Sequence, residues 1–456
     1  MWVSTMSSHQ PNEKLPFDIL GLVFTHYAQE ETIWRPLETL LLVCRSWSLA
    51  ALGHRALWSN FRIYLGHDET SITWNARLPL RLDRCESECL LDIDIRNILD
   101  LPNEEDAPEE TQSDESYVPW TCDPTVRQMD PDAECVCFGV ARECAESTLH
   151  TLAGLHGSLS ARWRTLRLHL GQRGLRVGSK LLADALSHPT PNLTDLQFDQ
   201  VCVGTESSGI DILPHATRVS RLIFLDCSFP SFPIFPGVVE ASIGGNYIHP
   251  LDDGTPVLRT ATQIQDLRLL ISTNSMIALP PAMHQLRTLS IEGTMFPPDL
   301  EVAEMPRLES ISSWCAGDNL LFTILNCKGI DIGKIKAISL SPRDAFLSEA
   351  DYVPIADSLL ELLRQAKSLT HLSASGRLLE AILKIFWGAI KRGDFSGLFP
   401  STSVPNGRAQ LTDLTSGDSF EFEGKETTEM LNALSRHWRL ATPDLSMDSF
   451  PNLFSI

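Results

Sequence analysis

The sequence predicts an α/β fold in two parts: a short helical unit, then an irregular solenoid of parallel strands with outer helices and loops. Three observations predict it. Residues 14–66 carry Leu and Trp at helical spacing. From residue 163 onward one short apolar pattern returns nine times. The stretches between its copies include both helix-like and proline-broken segments, as the outer face of a solenoid allows.

In the front unit, Ile19, Leu22, Val23 and His26 form one stripe, and Leu40, Val43, Trp47 and Ala50 another. Residues 31–36 separate them, and Pro36 suits the first turn of a helix. Gly53 marks a break before residues 54–60. Residues 1–13 read as a polar tail. Residues 72–96 alternate between apolar and polar (Leu78, Leu80, Leu82, then Leu91, Ile93, Ile95), so 67–99 is expected to be a strand-rich start of the repeat domain. Residues 100–134 are crowded with acids, Glu104, Glu105, Asp106, Glu109, Glu110, Asp114 and Glu115 among them, and Arg127 is their only base. Such a segment cannot repay its ordering entropy, and a flexible acidic insertion is expected. Helical pattern resumes over 140–156.

The repeat domain is placed at 135–376. Its pattern is apolar-x-x-apolar-x-apolar. The clearest copies place Trp163, Leu166 and Leu168; Leu193, Leu196 and Phe198; Val219, Leu222 and Phe224; Ile264, Leu267 and Leu269; Leu286, Leu289 and Ile291; and Ile335, Ile338 and Leu340. Weaker copies start at Val238, Leu308 and Leu369. Starts are separated by roughly 20 to 35 residues, overlapping and somewhat exceeding the period of leucine-rich repeats. Each copy is a short strand that cannot bury its apolar face alone, so neighbours stack into a shared core.

Residues 180–187 and 355–366 read as outer helices, whereas the prolines of 229–236 forbid one. Cys227 and Asn246 stand at the offset where this repeat bonds a side chain to turn backbone. Asn192-Leu-Thr194 reads as an ordinary strand lead-in rather than a glycosylation site. Target recognition is expected on the open strand face, with Arg167, His169, Gln197, Arg268, Ser290 and Ser339 as candidates. Residues 377–456 read as a C-terminal helical cap and tail, with an apolar helix over 378–390 and a second over 427–440.

Composition narrows the function. The formal net charge of −21 and sequence pI near 5.0 oppose phosphate neutralisation, so nucleic acid and anionic membrane surfaces are not expected partners. Residues 1–13 lack an apolar targeting core, and the 11 cysteines are scattered, so a reducing compartment, cytosol or nucleus, is expected. No phosphate loop, zinc-protease helix or nucleophile elbow is present, so neither enzyme chemistry nor a cofactor is expected. Cys135, Cys137, Cys144 and His150 read as ordinary residues, because the first pair is tighter than zinc spacing.

One stretch is sharper than the rest. Leu15-Pro16-Phe17-Asp18-Ile19-Leu20, then Val23-Phe24, then Leu37, Leu40 to Trp47 through Val43-Cys44-Arg45, and Ala56-Leu57-Trp58 follow one another at fixed spacing. Residues 15–58 thereby resemble an F-box of the F-box-like form, with Asp18 in place of the more usual Glu and a lengthened loop. With the irregular repeats behind it, the layout is similar to a group expanded in mushroom-forming fungi. The resemblance implies a three-helix F-box over 14–66 docking on the Skp-type adaptor of a cullin ubiquitin ligase, with the repeats presenting a protein substrate. Leu15, Pro16, Ile19 and Leu20 are then the expected adaptor contacts, with Leu41 and Leu42 secondary. Val43, Cys44, Trp47 and Trp58 are the expected internal packing. The alternative is a repeat scaffold with no ligase link.

Overall fold

The computed structural model describes residues 15–30, 36–65, 68–97, 136–170, 180–203, 211–227, 229, 234–245, 258, 261–271, 279–293, 303–315, 327, 329–340, 361–362, 365–374, 408–413 and 419–423. The chain is α/β and forms two compact units, Met1–Phe235 with Tyr247–Gly254, and Pro236–Asn246 with Thr255–Ile456.

The first unit opens with helices α1 (Phe17–Gln29), α2 (Leu40–Val43) and α3 (Arg45–Gly53). Strand β1 (Asn60–Leu65) and helix α4 (Asp68–Arg84) come next, then β2 (Leu91–Asn97) and α5 (Val136–Ala153). Strand β3 (Trp163–His169), helix α6 (Lys180–Leu186), and strands β4 (Asp195–Asp199) and β5 (Arg221–Leu225) complete it. The five strands pair in parallel in chain order.

The second unit carries β6 (Glu240–Gly245), β7 (Asp266–Ile271), β8 (Thr288–Gly293), β9 (Ser310–Cys315), β10 (Ala337–Leu340), β11 (His371–Ala374), β12 (Arg408–Asp413) and β13 (Ser419–Glu423). These also pair in chain order, parallel as far as β12. β13 turns back antiparallel on β12.

The sequence pattern and the backbone explain each other. All nine copies contain a strand. Leu193, Val219, Leu286, Leu308, Ile335 and Leu369 each donate their N–H to the carbonyl three residues earlier, closing a tight turn with a buried side chain beneath it. The next two residues then bond to the lead-in carbonyl of the preceding strand. Ser220 and Arg221 donate to Thr194, Arg287 and Thr288 to Gln265, and Lys336 and Ala337 to Glu309. The later apolar positions alternate inward, as a pleat requires, and Leu196, Phe198, Leu289 and Ile291 are fully buried. Each such side chain contributes about 1.5–3 kcal/mol by leaving water. Gln200 and Asp226, just past β4 and β5, both take the left-handed conformation (φ 56° and 51°) that turns the chain off the sheet.

Cys227 is buried, its Sγ 3.3 Å from the Phe198 carbonyl oxygen and 3.1 Å from that of Leu225, so its thiol does bond turn backbone. Burial pushes its pKa far up. Asn192 donates to the Ala161 carbonyl and Thr194 to that of Arg164, fixing the lead-in to β4. Residues 180–186 are helical as predicted.

Three expectations need correction. Residues 72–84 are not strand but part of α4. Trp74, Leu78, Arg81 and Cys85 face inward at four-, three- and four-residue spacing, while Leu80 is exposed. The described residues 68–97 of that stretch therefore hold one helix and one strand. Residues 60–65, read with the front unit, form β1 and pair with β2. The region 377–456 contributes β12 and β13. The remainder of that region, the acidic insertion 100–134, the helix expected over most of 355–366, and Asn246 lie outside the described residues.

Candidate interaction surfaces

Helix α1 is apolar on two opposite sides. Leu20, Phe24 and Ala28 face inward at four-residue spacing, with Leu20 at 1% and Phe24 at 0% exposure. Phe24 packs edge-on against Trp47, ring centroids 5.1 Å apart. Ile19, Leu22 and Val23 lie on the other side at 44%, 69% and 45% exposure. The sequence stripe Ile19–Leu22–Val23–His26 is thus the solvent face, and the inward face sits one residue out of phase with it.

Leu15, Pro16 and Ile19 are accordingly accessible to a partner. Leu20 is not; it belongs to the core of the hairpin. Leu41 is half-buried and Leu42 is 83% exposed. Val43 was expected to pack internally, yet it is 53% exposed. The reason is local: α2 is one turn long, and Cys44 is fully extended (φ −162°, ψ 167°), so the stripe from Leu40 to Ala50 breaks there. Cys44 and Trp47 are partly buried, and Trp58 is fully buried with its Nε1 donating to the Ala51 carbonyl at 2.9 Å. Leu49 and Leu52 on α3 are also exposed.

Sequence reasoning missed what fastens the hairpin to its neighbours. Arg81 of α4 is wholly buried and grips Glu38 with both arms, Nε to Oε1 at 2.7 Å and Nη2 to Oε2 at 2.9 Å. Its guanidinium lies 4.9 Å from the Trp74 ring centre, and Arg84 lies 4.6 Å from that of Trp58. Burial pulls the Glu38 pKa up, but the hydrogen bond and charge of Arg81 outweigh it and hold the carboxyl below its ordinary range. Arg62 of β1 also donates to the Gln29 carbonyl at the end of α1. The only sequence signal for this link was an Arg on a helix that had been read as strand.

The open strand face differs between the two units. In the first it is a net of charged pairs. Arg164 holds Asp92 through two contacts, one of 2.9 Å, and Arg96 holds Asp94 at 2.9 and 2.8 Å. Arg167 reaches Asp195 at 2.8 Å, and His169 Nδ1 lies 2.8 Å from Asp199. Gln197 sits between Arg167 and Ile223 in the ladder. In the second unit, Arg268 pairs with Glu292 at 2.6 Å. Beside it a hydroxyl row crosses the ladder in register: Ser290, Ser312, Ser339, Ser373 and Thr412. The sequence candidates Arg167, His169, Gln197, Arg268, Ser290 and Ser339 therefore all occupy the face opposite the core, though in two separate units.

Among the described residues, no group of three or more His, Cys, Asp or Glu side chains could hold a metal ion. Cys144 is buried in α5, while His150 on the same helix is exposed and 3.3 Å from Asp184. No described helix is long and apolar enough to cross a membrane. Fold and surfaces together define an α/β protein of stacked parallel strands with a helical module at the front. No known protein family matches the chain, and no curated protein matches it either.

Proposed function

We propose that the protein is a non-enzymatic substrate-recognition adaptor of an SCF-type cullin ubiquitin ligase, working in the cytosol or nucleus. Its N-terminal hairpin acts as an F-box and docks on the Skp-type adaptor, and its strands, read as irregular leucine-rich repeats, hold a protein target. The observation that carries this reading is the two-sided apolarity of α1. A helix that is apolar all round belongs inside a core, yet Ile19, Leu22 and Val23 have water on them. Docking in a partner's groove would remove that exposure. The resemblance of residues 15–58 to an F-box supports this choice of partner class. The charged pairs and hydroxyls on the open faces of both strand ladders suit a protein target read by charge and hydrogen bonds.

The test is co-purification of the full chain with a Skp-type adaptor. Wild type should retain it, and Ile19→Asp with Leu22→Asp should lose at least about tenfold in affinity while folding normally, because both sites face solvent. Wild type that never retains the adaptor would leave the repeat-scaffold reading in its place.

A further inference from the structure

Away from both surfaces, one guanidinium holds a turn that carries two thiols. Cys85 follows the last residue of α4, and Cys89 lies in the turn leading to β2. The Cys85 N–H bonds to the Arg81 carbonyl at 2.9 Å and the Cys89 N–H to the Glu86 carbonyl at 3.0 Å. The turn folds back on itself: Cys85 Sγ lies 3.6 Å from the Glu86 carbonyl oxygen and Cys89 Sγ 4.0 Å from the Glu86 carboxylate, so both thiols flank one residue. Arg162, which leads into β3, closes over this turn. Its Nε donates to the Cys89 carbonyl at 2.9 Å; its Nη2 donates to the Glu86 carbonyl at 2.6 Å and to Cys85 Sγ at 3.2 Å. Cys85 is buried, and Cys89 is partly exposed. Nothing in the proposed adaptor function uses this cluster.

We propose that Cys85 and Cys89 form a reversible dithiol–disulfide switch, driven by a glutathione-type disulfide, which takes one of its three partners from Arg162 and loosens its hold on the turn between α4 and β2. The chemistry balances in two exchanges. The more accessible Cys89 thiolate attacks one sulfur of the glutathione disulfide, and one glutathione thiolate leaves with the proton Cys89 gave up. The Cys85 thiolate then attacks the Cys89 sulfur of the mixed disulfide and expels the second glutathione, which takes up the Cys85 proton. Two protein thiols are oxidised, and one disulfide is reduced to two thiols.

The order of attack follows from the surroundings. Burial raises the Cys85 pKa, more than the charge of Arg162 lowers it, so Cys85 is protonated at neutral pH and reacts second. In that second step Arg162 sits where the Cys85 thiolate develops. Once Cys85 is bonded to Cys89 its sulfur is drawn onto its new partner, and Arg162 keeps the two carbonyls but loses the thiol among its three partners. Because Arg162 is followed directly by Trp163, buried with its Nε1 on the Leu152 carbonyl, the loss is felt at the lead-in to β3.

The experiment treats the full-length protein with oxidised glutathione and reads peptide masses and amide hydrogen exchange. In wild type, the peptide holding both cysteines should become lighter by two hydrogens, reversibly with dithiothreitol. Exchange should rise around residues 86–91 and 160–163. Cys85→Ser should stop at a mixed disulfide on Cys89. Cys89→Ser should take up glutathione roughly tenfold more slowly, because only the buried, protonated thiol is left. Arg162→Gln should slow the closing step several-fold and let the mixed disulfide accumulate. Phenylarsine oxide, which needs two adjacent thiols, should protect both from alkylation in untreated wild type and so reports the pair without any substitution. Two separate mixed disulfides in wild type, no arsenical protection, or a closed disulfide with unchanged exchange at residues 160–163 would each overturn the proposal.

Discussion

From β3 to β10 the apolar side chains of each repeat are at or near zero exposure, and most side chains opposite them are polar or small, with Ile223, Leu225 and Leu270 as half-buried exceptions. From α1 to α3, large apolar side chains lie both inside and outside: Leu20, Phe24, Leu40 and Ala50 within, and Leu22, Leu42, Val43, Leu49 and Leu52 without. The strands obtain their partner from the next copy of the same pattern, so their apolar faces close on themselves along the stack. The helices have no such neighbour. Their outer side chains are the largest local concentration of exposed grease among the described residues, which is the exposure the proposed adaptor would cover. Apolar residues are thus exposed on the helical module, and polar ones predominate on the open strand face.

The sharpest way to break that contrast is on α1 itself. Phe24→Ala removes a ring from the packed side and should destabilise by about 3–5 kcal/mol. Leu22→Ala, two residues away on the wet side, should stay within about 0.5 kcal/mol. Urea denaturation of the two variants measures both. Equal costs would mean that the outer stripe is sealed in the folded protein.

The fastening of the helices to α4 gives an effect of similar or slightly smaller size. Glu38→Ala leaves the wholly buried Arg81 without its carboxylate, at a cost of about 3–5 kcal/mol less whatever water relieves on the partly exposed Glu38 side. The pair also makes a pH dependence. The folded Glu38 pKa lies below the ordinary value of 4.5, so the unfolded chain takes up the proton first. The stabilisation is fully present above pH 4.5 and is lost as pH falls through the lower folded value. Thermal melts stepped downward from pH 5 should show wild type losing stability faster than the Glu38→Ala variant.

What was legible in the sequence follows the same division. The strand series could be read because each copy states its own burial: Trp163, Leu166 and Leu168 are inward in the structure as in the pattern. The helical module could be read as an element but not in its facing. In α1 both sides are apolar, so period alone could not tell Leu20 from Ile19, and Leu20 was assigned to the partner. Helix α4 was missed because Leu78, Leu80 and Leu82 alternate around Pro79, whereas one of the residues that fixes the true face, Arg81, is charged. A buried arginine has no hydropathy signal; only its distant acid, Glu38, explains it. The four-residue spacing of Cys85 and Cys89 is legible in the sequence, but their link to Arg162 is not, since Arg162 reaches this turn only once β2 and β3 have paired.

A smaller test sharpens the strand side of the comparison. Gln200 holds φ 56°, a region where any side chain meets its own backbone, and its Oε1 is buried without a hydrogen-bond partner. Replacing a residue by Gly generally costs about 0.5–1 kcal/mol in ordered structure. Here Gln200→Gly relieves the left-handed strain and the orphaned oxygen together, so the net change should be stabilising, by up to about 1 kcal/mol. A raised urea midpoint with an unchanged slope is the expected reading.

The weakest effects belong on the open face. Arg164 and Arg268 hold Asp92 and Glu292 but are themselves 51% and 54% exposed. Water screens both pairs, and each holds a long side chain in one geometry at an entropic cost. Arg164→Gln and Arg268→Gln should therefore each change stability by less than about 1 kcal/mol, and the difference should vanish in molar salt, where the screening length falls to about 3 Å. Target capture is where they should register: if the two faces are read by charge, both variants weaken it, and wild-type capture itself weakens as salt is raised. Capture that is indifferent to both substitutions and to salt would move the target site off these strands, leaving their ion pairs as local fastenings of the ladder.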